Sequence, residues 1–311
     1  MVNIEVVKIT PRGYCHGVVH AINQLRDILK DKTINRPVYI LGKVVHNQKI
    51  VDDFSNLGLI TLDEKGKSRL QLLDEIEKGT VVFTAHGVSE QVYEKARQKN
   101  LDIIDTTCKD VMQSQNTIKK YLHDGYKILF IGKKDHPEVE TALSYDDVYL
   151  IEKPRDIHAL SFSKDTKIAM TNQTTMSIFD VYHLNEAIKK KYPSVVILDE
   201  ICDATKLRQL AIKHQPKDID FCYVVGDPYS NNSNKLVQVS INSGVPARLI
   251  ESVEDINTNH LKNIKKVSVT SGASTPTQIT NEVIHFLNHF KDQHANQRPK
   301  SQYKTTNLFK P

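Results

Sequence analysis

The stretch Pro11-Arg12-Gly13-Tyr14-Cys15-His16-Gly17 presents one thiol in a glycine-flanked turn, directly after the strand-like run Ile4-Glu5-Val6-Val7-Lys8-Ile9. The same arrangement returns twice. Cys108 follows Leu101-Asp102-Ile103-Ile104-Asp105-Thr106-Thr107, and Cys202 follows Val195-Val196-Ile197-Leu198-Asp199-Glu200-Ile201. The thiols stand 93 and 94 residues apart, the near-equal spacing that a threefold internal repeat produces.

Working outward from each thiol, the repeat extends to whole strands. A helical pattern through Val18, Ile22, Leu25 and Leu29 follows Cys15, and further helices are expected over 111–122 and 207–212. β-branched runs then recur at Val38–Gly42, Leu59–Leu62 and Thr80–Thr84; at Lys127–Gly132, Val148–Ile151 and Lys167–Thr171; and at Phe221–Gly226, Ala247–Ile250 and Val267–Thr270. Gly42, Gly132 and Gly226 close the second run of each repeat, and Thr84, Thr171 and Thr270 close the fourth. Strands separated by helix-length connections imply parallel β-α-β units, which place ligand sites at the carboxyl ends of their strands. The fold class is therefore α/β, with mainly parallel sheets in three pseudo-equivalent domains.

Composition excludes several functions. No apolar run of the 311-residue chain approaches the roughly 18 residues a membrane span needs, and no export signal opens it, so a cytoplasmic protein is expected. Four widely spaced cysteines argue for reduced thiols and against a disulfide framework. The net charge is +5, but Lys291–Pro311 holds five basic residues against Asp292 alone and so supplies four of those charges. The body is nearly neutral, which argues against a nucleic-acid partner. A nucleotide triphosphatase is disfavoured by the lack of a phosphate loop of the Gly-x-x-x-x-Gly-Lys-Ser/Thr type.

Polar side chains gather where the strands end. Three thiolates suit zinc with a fourth ligand or an iron–sulfur cluster, and their long spacing does not choose between these. Cys222 lies inside an apolar run and reads as core. His46, His86 and His136 each occupy a strand-end loop, where imidazoles beside hydroxyls and amides suit an anionic ligand such as a diphosphate. Glu138, two residues after His136, is a proton donor once burial raises its pKa. The Ser230-Asn231-Asn232-Ser233-Asn234 run and the Gly272-Ala273-Ser274 turn read as helix N-caps that also offer N–H groups to phosphate. His183, His285, His289, Glu140 and Glu152 are expected on the surface.

Nine ordered motifs carry a family resemblance. They are Pro-Arg-Gly-Tyr-Cys15, Val-Val-His46-Asn47, Thr-Ala-His86-Gly-Val-Ser, Asp-Thr-Thr-Cys108, His136-Pro-Glu138-Val-Glu, Asn-Gln173-Thr174-Thr175, Glu-Ile-Cys202-Asp-Ala-Thr, Ser-Asn-Asn232-Ser-Asn-Lys-Leu and Gly-Ala-Ser274-Thr-Pro. Together, from Ile4 to Phe290, they resemble the 4-hydroxy-3-methylbut-2-enyl diphosphate reductase family. The resemblance implies a cloverleaf around one [4Fe–4S] cluster per chain, held by Cys15, Cys108 and Cys202 with the fourth iron open to substrate. It implies a first domain over 16–108, a second over 109–202, a third over 203–290 completed by 1–15, and a flexible basic tail over 291–311. It places the diphosphate among His46, His86, Ser230, Asn231, Asn232 and Ser274, and gives the proton relay to Glu138 with Thr174 and His136, both also beside substrate. Ferredoxin or flavodoxin is the implied electron donor, and isopentenyl and dimethylallyl diphosphates are the implied products. Lys109, Thr141 and Asp203 depart from the commonest family pattern, and none is an implied ligand. The competing reading is a zinc-stabilised anion-binding module without redox activity.

Overall fold

Each set of expected strands closes into its own four-stranded sheet in a computed structural model that describes residues 4–290 and 299–304. The strands are β1 (Glu5–Lys8), β2 (Val38–Leu41), β3 (Ile60–Leu62), β4 (Thr80–Phe83), β5 (Asp102–Asp105), β6 (Lys127–Ile131), β7 (Val148–Ile151), β8 (Ile168–Asn172), β9 (Val196–Ile197), β10 (Phe221–Val225), β11 (Ala247–Ile250) and β12 (Lys266–Ser271). Between them run α1 (His16–Lys30), α2 (Gln48–Asn56), α3 (Arg69–Leu72), α4 (Glu90–Gln98), α5 (Lys109–His123), α6 (Pro137–Ala142), α7 (Pro154–Ala159), α8 (Ile178–Lys191), α9 (Asp203–Lys213), α10 (Asn231–Asn242) and α11 (Thr277–Asn288). The sheet orders are β3-β2-β4-β5, β7-β6-β8-β9 and β11-β10-β12-β1. Every pairing is parallel.

Apart from the place of β1 in the chain, the three orders are one topology. The first strand of the chain does not start the first sheet; it pairs with β12, Val6 opposite Val267, and completes the third. The inner strands are buried on both faces, as β4 (Thr-Val-Val-Phe) and β8 (Ile-Ala-Met-Thr-Asn) show. Parallel sheets covered by helices on both sides require such unbroken apolar runs. The strands that lead to the cysteines, β1, β5 and β9, are each one edge of their sheet. They are short, and β1 and β5 carry charged, exposed end residues (Glu5, Lys8, Asp102, Asp105), a composition that discourages pairing with another chain.

The described chain forms two compact units. One, from the described parts of Met1–His16, His46–Asp53 and Asp203–Pro311, carries the third sheet; its core joins Ile4, Tyr223, Val267, Val269, Val283 and Leu287. The other, Gly17–Val45 with Phe54–Cys202, carries the first two sheets, with cores around Phe83 and Val92 and around Leu129, Met170 and Ile188. Each fully buried Val, Leu or Ile in these clusters contributes roughly 1.5–3 kcal/mol relative to exposure. Among the described residues, no helix is long and apolar enough to cross a membrane.

The tail expected to be flexible lies outside the described residues over 291–298 and 305–311. Between these, residues 299–304 are held. Ser301 Oγ donates to Glu282 Oε2 at 2.6 Å, and its N–H donates to Glu254 at 3.0 Å. The Tyr303 ring packs on the third-sheet core, and its hydroxyl donates to buried Asp53 at 2.7 Å. Pro299 and the polar composition point to mobility, but three carboxylates 19 to 250 residues away, and the third-sheet core under the Tyr303 ring, provide the anchors.

Candidate functional site

Cys15, Cys108 and Cys202 are each the last residue before a helix: α1 begins at His16, α5 at Lys109 and α9 at Asp203. Each has its N–H tied to the loop that follows the neighbouring inner strand. Cys15 donates to Ala273 O at 3.0 Å, Cys108 to Ala85 O at 3.0 Å and Cys202 to Thr174 O at 3.1 Å. The free N–H groups of a helix start favour negative charge, which suits thiolates and an anionic group held by them. All three thiols are partly exposed, while Cys222 is buried and its thiol is pushed up by desolvation, as a core residue's would be. Gly17 makes room for one of them: a Cβ there would lie 2.5 Å from Cys108 Sγ. No side chain larger than hydrogen fits that approach.

In the two-sheet unit, the loops after β4, β6 and β8 assemble an acid. Glu138 stands in the first turn of α6, only 6% exposed, and Thr174 holds both its oxygens: Thr174 N–H donates to Oε2 at 2.8 Å and Thr174 Oγ1 to Oε1 at 3.0 Å. Burial pushes the carboxyl up to about 7, against the two Thr174 hydrogen bonds, which favour the charged form. His136 caps the helix, its Nδ1 accepting from Glu138 N–H at 3.2 Å. A neutral His136 therefore carries its proton on Nε2. Pro137 follows at the first helical position, where its missing N–H costs nothing. The His86 ring meets His136 edge-on at 5.6 Å, and its Nδ1 lies 3.4 Å from Thr84 Oγ1.

In the other unit, the residues named from the sequence at the equivalent positions are amides, hydroxyls and one imidazole, with the buried Asp227 carboxylate accepting from the N–H groups of Gln48 and Tyr229 beside them. Ser230 caps α10, its Oγ accepting from Ser233 N–H at 3.2 Å, so its own proton is available to a ligand. Buried Asn232 accepts from Ala273 N–H at 3.2 Å and donates to Thr205 at 3.3 Å. Asn231 is buried beside it in the first turn. Ser274 does not cap a helix, since α11 begins at Thr277; its hydroxyl instead donates to His46 O at 2.8 Å. His46 is thereby joined to the loop after β12.

Structure therefore sorts the predicted residues into two groups: Glu138, Thr174, His136 and His86 with Cys108 and Cys202 in one unit, and His46, Ser230, Asn231, Asn232 and Ser274 with Cys15 in the other. Glu140, read as a surface charge, is instead tied to Arg69. The guanidinium donates to Oε2 at 2.5 Å and Arg69 N–H to Oε1 at 2.8 Å. Arg208 was also missed: it is buried and donates to Gly13 O at 2.7 Å, while Gly13 N–H donates to Ser271 Oγ at 2.7 Å. These bonds shape the Cys15 loop. Neither arginine belongs to a motif, and their partners lie 71 and 195 residues away, so no local pattern marked them. Asp203 is exposed in the first turn of α9.

The LytB protein family model matches residues 6–288. A relative from Geobacillus sp. (strain WCH70), named 4-hydroxy-3-methylbut-2-enyl diphosphate reductase, is 51% identical over 296 residues, covering 94% of this chain and 93% of its own. One of the same name from Symbiobacterium thermophilum is 49% identical, covering 91% and 97%. The solved E-1-hydroxy-2-methyl-but-2-enyl-4-diphosphate reductase from Plasmodium falciparum superposes with a TM-score of 0.85 at 30% identity, over 98% of this chain and 97% of that one. A second solved reductase, described as the terminal enzyme of the non-mevalonate pathway, gives 0.64 at 26% identity over 92% of this chain and all of the other. With three strand–cysteine–helix junctions in one repeated topology and matches that span nearly its whole length, this chain belongs to the LytB family.

Proposed function

We propose that the chain reduces 4-hydroxy-3-methylbut-2-enyl diphosphate to isopentenyl and dimethylallyl diphosphates, with loss of the hydroxyl as water. The observation that carries this reading is Glu138, a carboxyl that burial pushes up to about 7 and that is bonded to Thr174, on the loop that Cys202 also joins. An acid protonated near neutral pH is suited to donate to a leaving hydroxyl, and a zinc-bound capture site has no need of one.

Cys15, Cys108 and Cys202 would hold a [4Fe–4S] cluster. Three partly exposed thiols at helix starts, with the Gly17 backbone against one sulfur, fit an anionic group with one position left to substrate. When bound, the cluster supplies two electrons, one at a time, from a ferredoxin or flavodoxin. The chain's own residues do the rest. Ser230, Asn231, Asn232 and Ser274, with His46 and His86, bind the diphosphate through hydroxyl, amide and imidazole donors. Thr174 orients the Glu138 carboxyl by two hydrogen bonds, and His136 positions the helix that carries it. The C–O bond breaks, two electrons and two protons enter, and water leaves. The division into domains ending near 108 and 202, with 1–15 completing the third, belongs to the same reading.

Protein purified without air should be brown, with iron and sulfide each near about four per chain. It should consume the diphosphate when given reduced ferredoxin or flavodoxin. Colourless protein that holds zinc and binds diphosphate without reducing it would establish the anion-binding module instead.

A further inference from the structure

Reduction consumes protons, and Glu138 is too buried to collect them directly from bulk water. A small cavity of about 10 Å³, counted as room for the centre of a water molecule, is lined by Glu138, by Ser114 and Gln115 of α5, and by Tyr145 just past α6, in an otherwise apolar wall. That is about the least volume that holds a single water, and such a water needs two to four polar partners. One is waiting: Gln115 Nε2 is buried with no hydrogen-bond partner in the protein. A buried amide donor in that condition calls for a partner, and in a polar cavity of this size an ordered water supplies one. The amide is held there by close packing, since a Cβ on Gly87 would lie 2.4 Å from it.

The cavity has a route toward solvent. Tyr145 is half-buried under the electrostatic influence of the Lys119 ammonium, and Lys119 pairs with Glu90 at 2.5 Å on the surface, where their side chains are 41% and 61% exposed. Burial holds the Tyr145 hydroxyl in its protonated form, so it is a donor. A chain of exchangeable protons thus runs from solvent at Lys119 to Tyr145 and then to the cavity wall that Glu138 shares.

We propose that one water occupies this cavity, held by the Gln115 amide, and that it passes protons from the Tyr145 hydroxyl to the Glu138 carboxylate, with the Lys119–Glu90 pair as the entry from solvent. This rests on Glu138 as the proton donor of the proposed reduction. After Glu138 gives its proton to the leaving hydroxyl, the carboxylate takes one from the water, the water takes one from Tyr145, and Tyr145 is reprotonated through Lys119. Each transfer forms one bond to hydrogen as it breaks another, and no electrons move. Gln115 is a positioning residue, because an amide N–H donates and does not relay.

The test uses the whole chain carrying Tyr145→Phe or Gln115→Leu, both close in size to the native residue. Infrared spectroscopy after a pH jump follows the protonated-carboxyl band of Glu138, identified by its loss in Glu138→Gln. Either variant should slow reprotonation by about a hundredfold, the low end for a proton-transfer contribution, while the final band intensity stays at the wild-type value. In enzyme loaded with its cofactor, kcat should fall in parallel with KM unchanged. Reprotonation at the wild-type rate in both variants overturns the proposal, as does a change in final intensity with no change in rate, which marks a merely structural role. Should the wild-type chain reduce no diphosphate while the band responds as expected, the proton path stands and the reductase reading falls.

Discussion

After β8 the chain sets Thr174 against a buried carboxyl; after β12, at the same point of the repeat, it sets Ala273 and Ser274 among amides and hydroxyls. The two loops share a backbone plan. Each begins with an N–H bonded to the end of the neighbouring inner strand, Gln173 to Ile131 O and Gly272 to Val225 O, and each accepts a cysteine N–H, from Cys202 and Cys15. What differs is charge. The loop after β8 serves a group that titrates near neutrality, and the loop after β12 offers donors that stay neutral at any ordinary pH. The repeat thus settles where thiols and backbone go, and in the proposed reading the side chains divide the work, proton delivery by the loop after β8 and anion binding by the loop after β12.

The shared part of the plan predicts the largest effect. Cys15→Ser and Cys202→Ser should be equally damaging, each abolishing turnover and the brown colour, measured by iron and sulfide analysis; retention of the cluster in one alone would break the equivalence. Next, Glu138→Gln should lower kcat by about 10²–10⁴-fold with substrate affinity kept, read by steady-state kinetics beside a binding titration.

The same substitution has a stability signature. Glu138 is raised from 4.5 to about 7 by burial, so between those values the folded chain binds more protons than the unfolded one and stability falls as pH rises. Below 4.5 both states are protonated and the cost is absent; above about 7 it is complete, at roughly 3 kcal/mol from a free-energy value near 1.4 kcal/mol per pKa unit. Glu138→Gln should therefore be more stable than wild type at pH 8 and lose that advantage by pH 4.5, in denaturant melts at both pH values. No change with pH would mean that the carboxyl is solvated.

Arg69→Ala tests what steadies the acid. It removes the guanidinium from Glu140, on the helix that carries Glu138, and leaves the backbone N–H of residue 69 in place, for a loss on the order of 1 kcal/mol, and double substitution with Glu140→Gln should recover part of it. The smallest effect belongs to the neutral loop. Ser274→Ala should raise KM by about tenfold, on the order of 1 kcal/mol for one hydrogen bond, and leave the pH profile of kcat untouched. A shifted profile would mean that the two loops do not divide the work.

Residue order alone determined a good deal. Alternating and β-branched runs with glycine stops are local properties, so the twelve strands, the parallel α/β class and the matched cysteines were legible without any structure. The separation of core Cys222 from the other three was legible too, because an apolar run buries whatever it contains. Tertiary structure alone decided the rest. That residues 1–15 complete the third domain came from the family resemblance, while the strand pairing itself, Glu5 with Lys266 across some 260 residues, is one no local pattern encodes. The state of Glu138 depends on how much water its neighbours exclude, and the partners of Glu140, Gly13 and Gln115 come from distant segments. Strand and helix formation answers to neighbours in sequence, whereas burial, and with it charge and proton affinity, answers to neighbours in space.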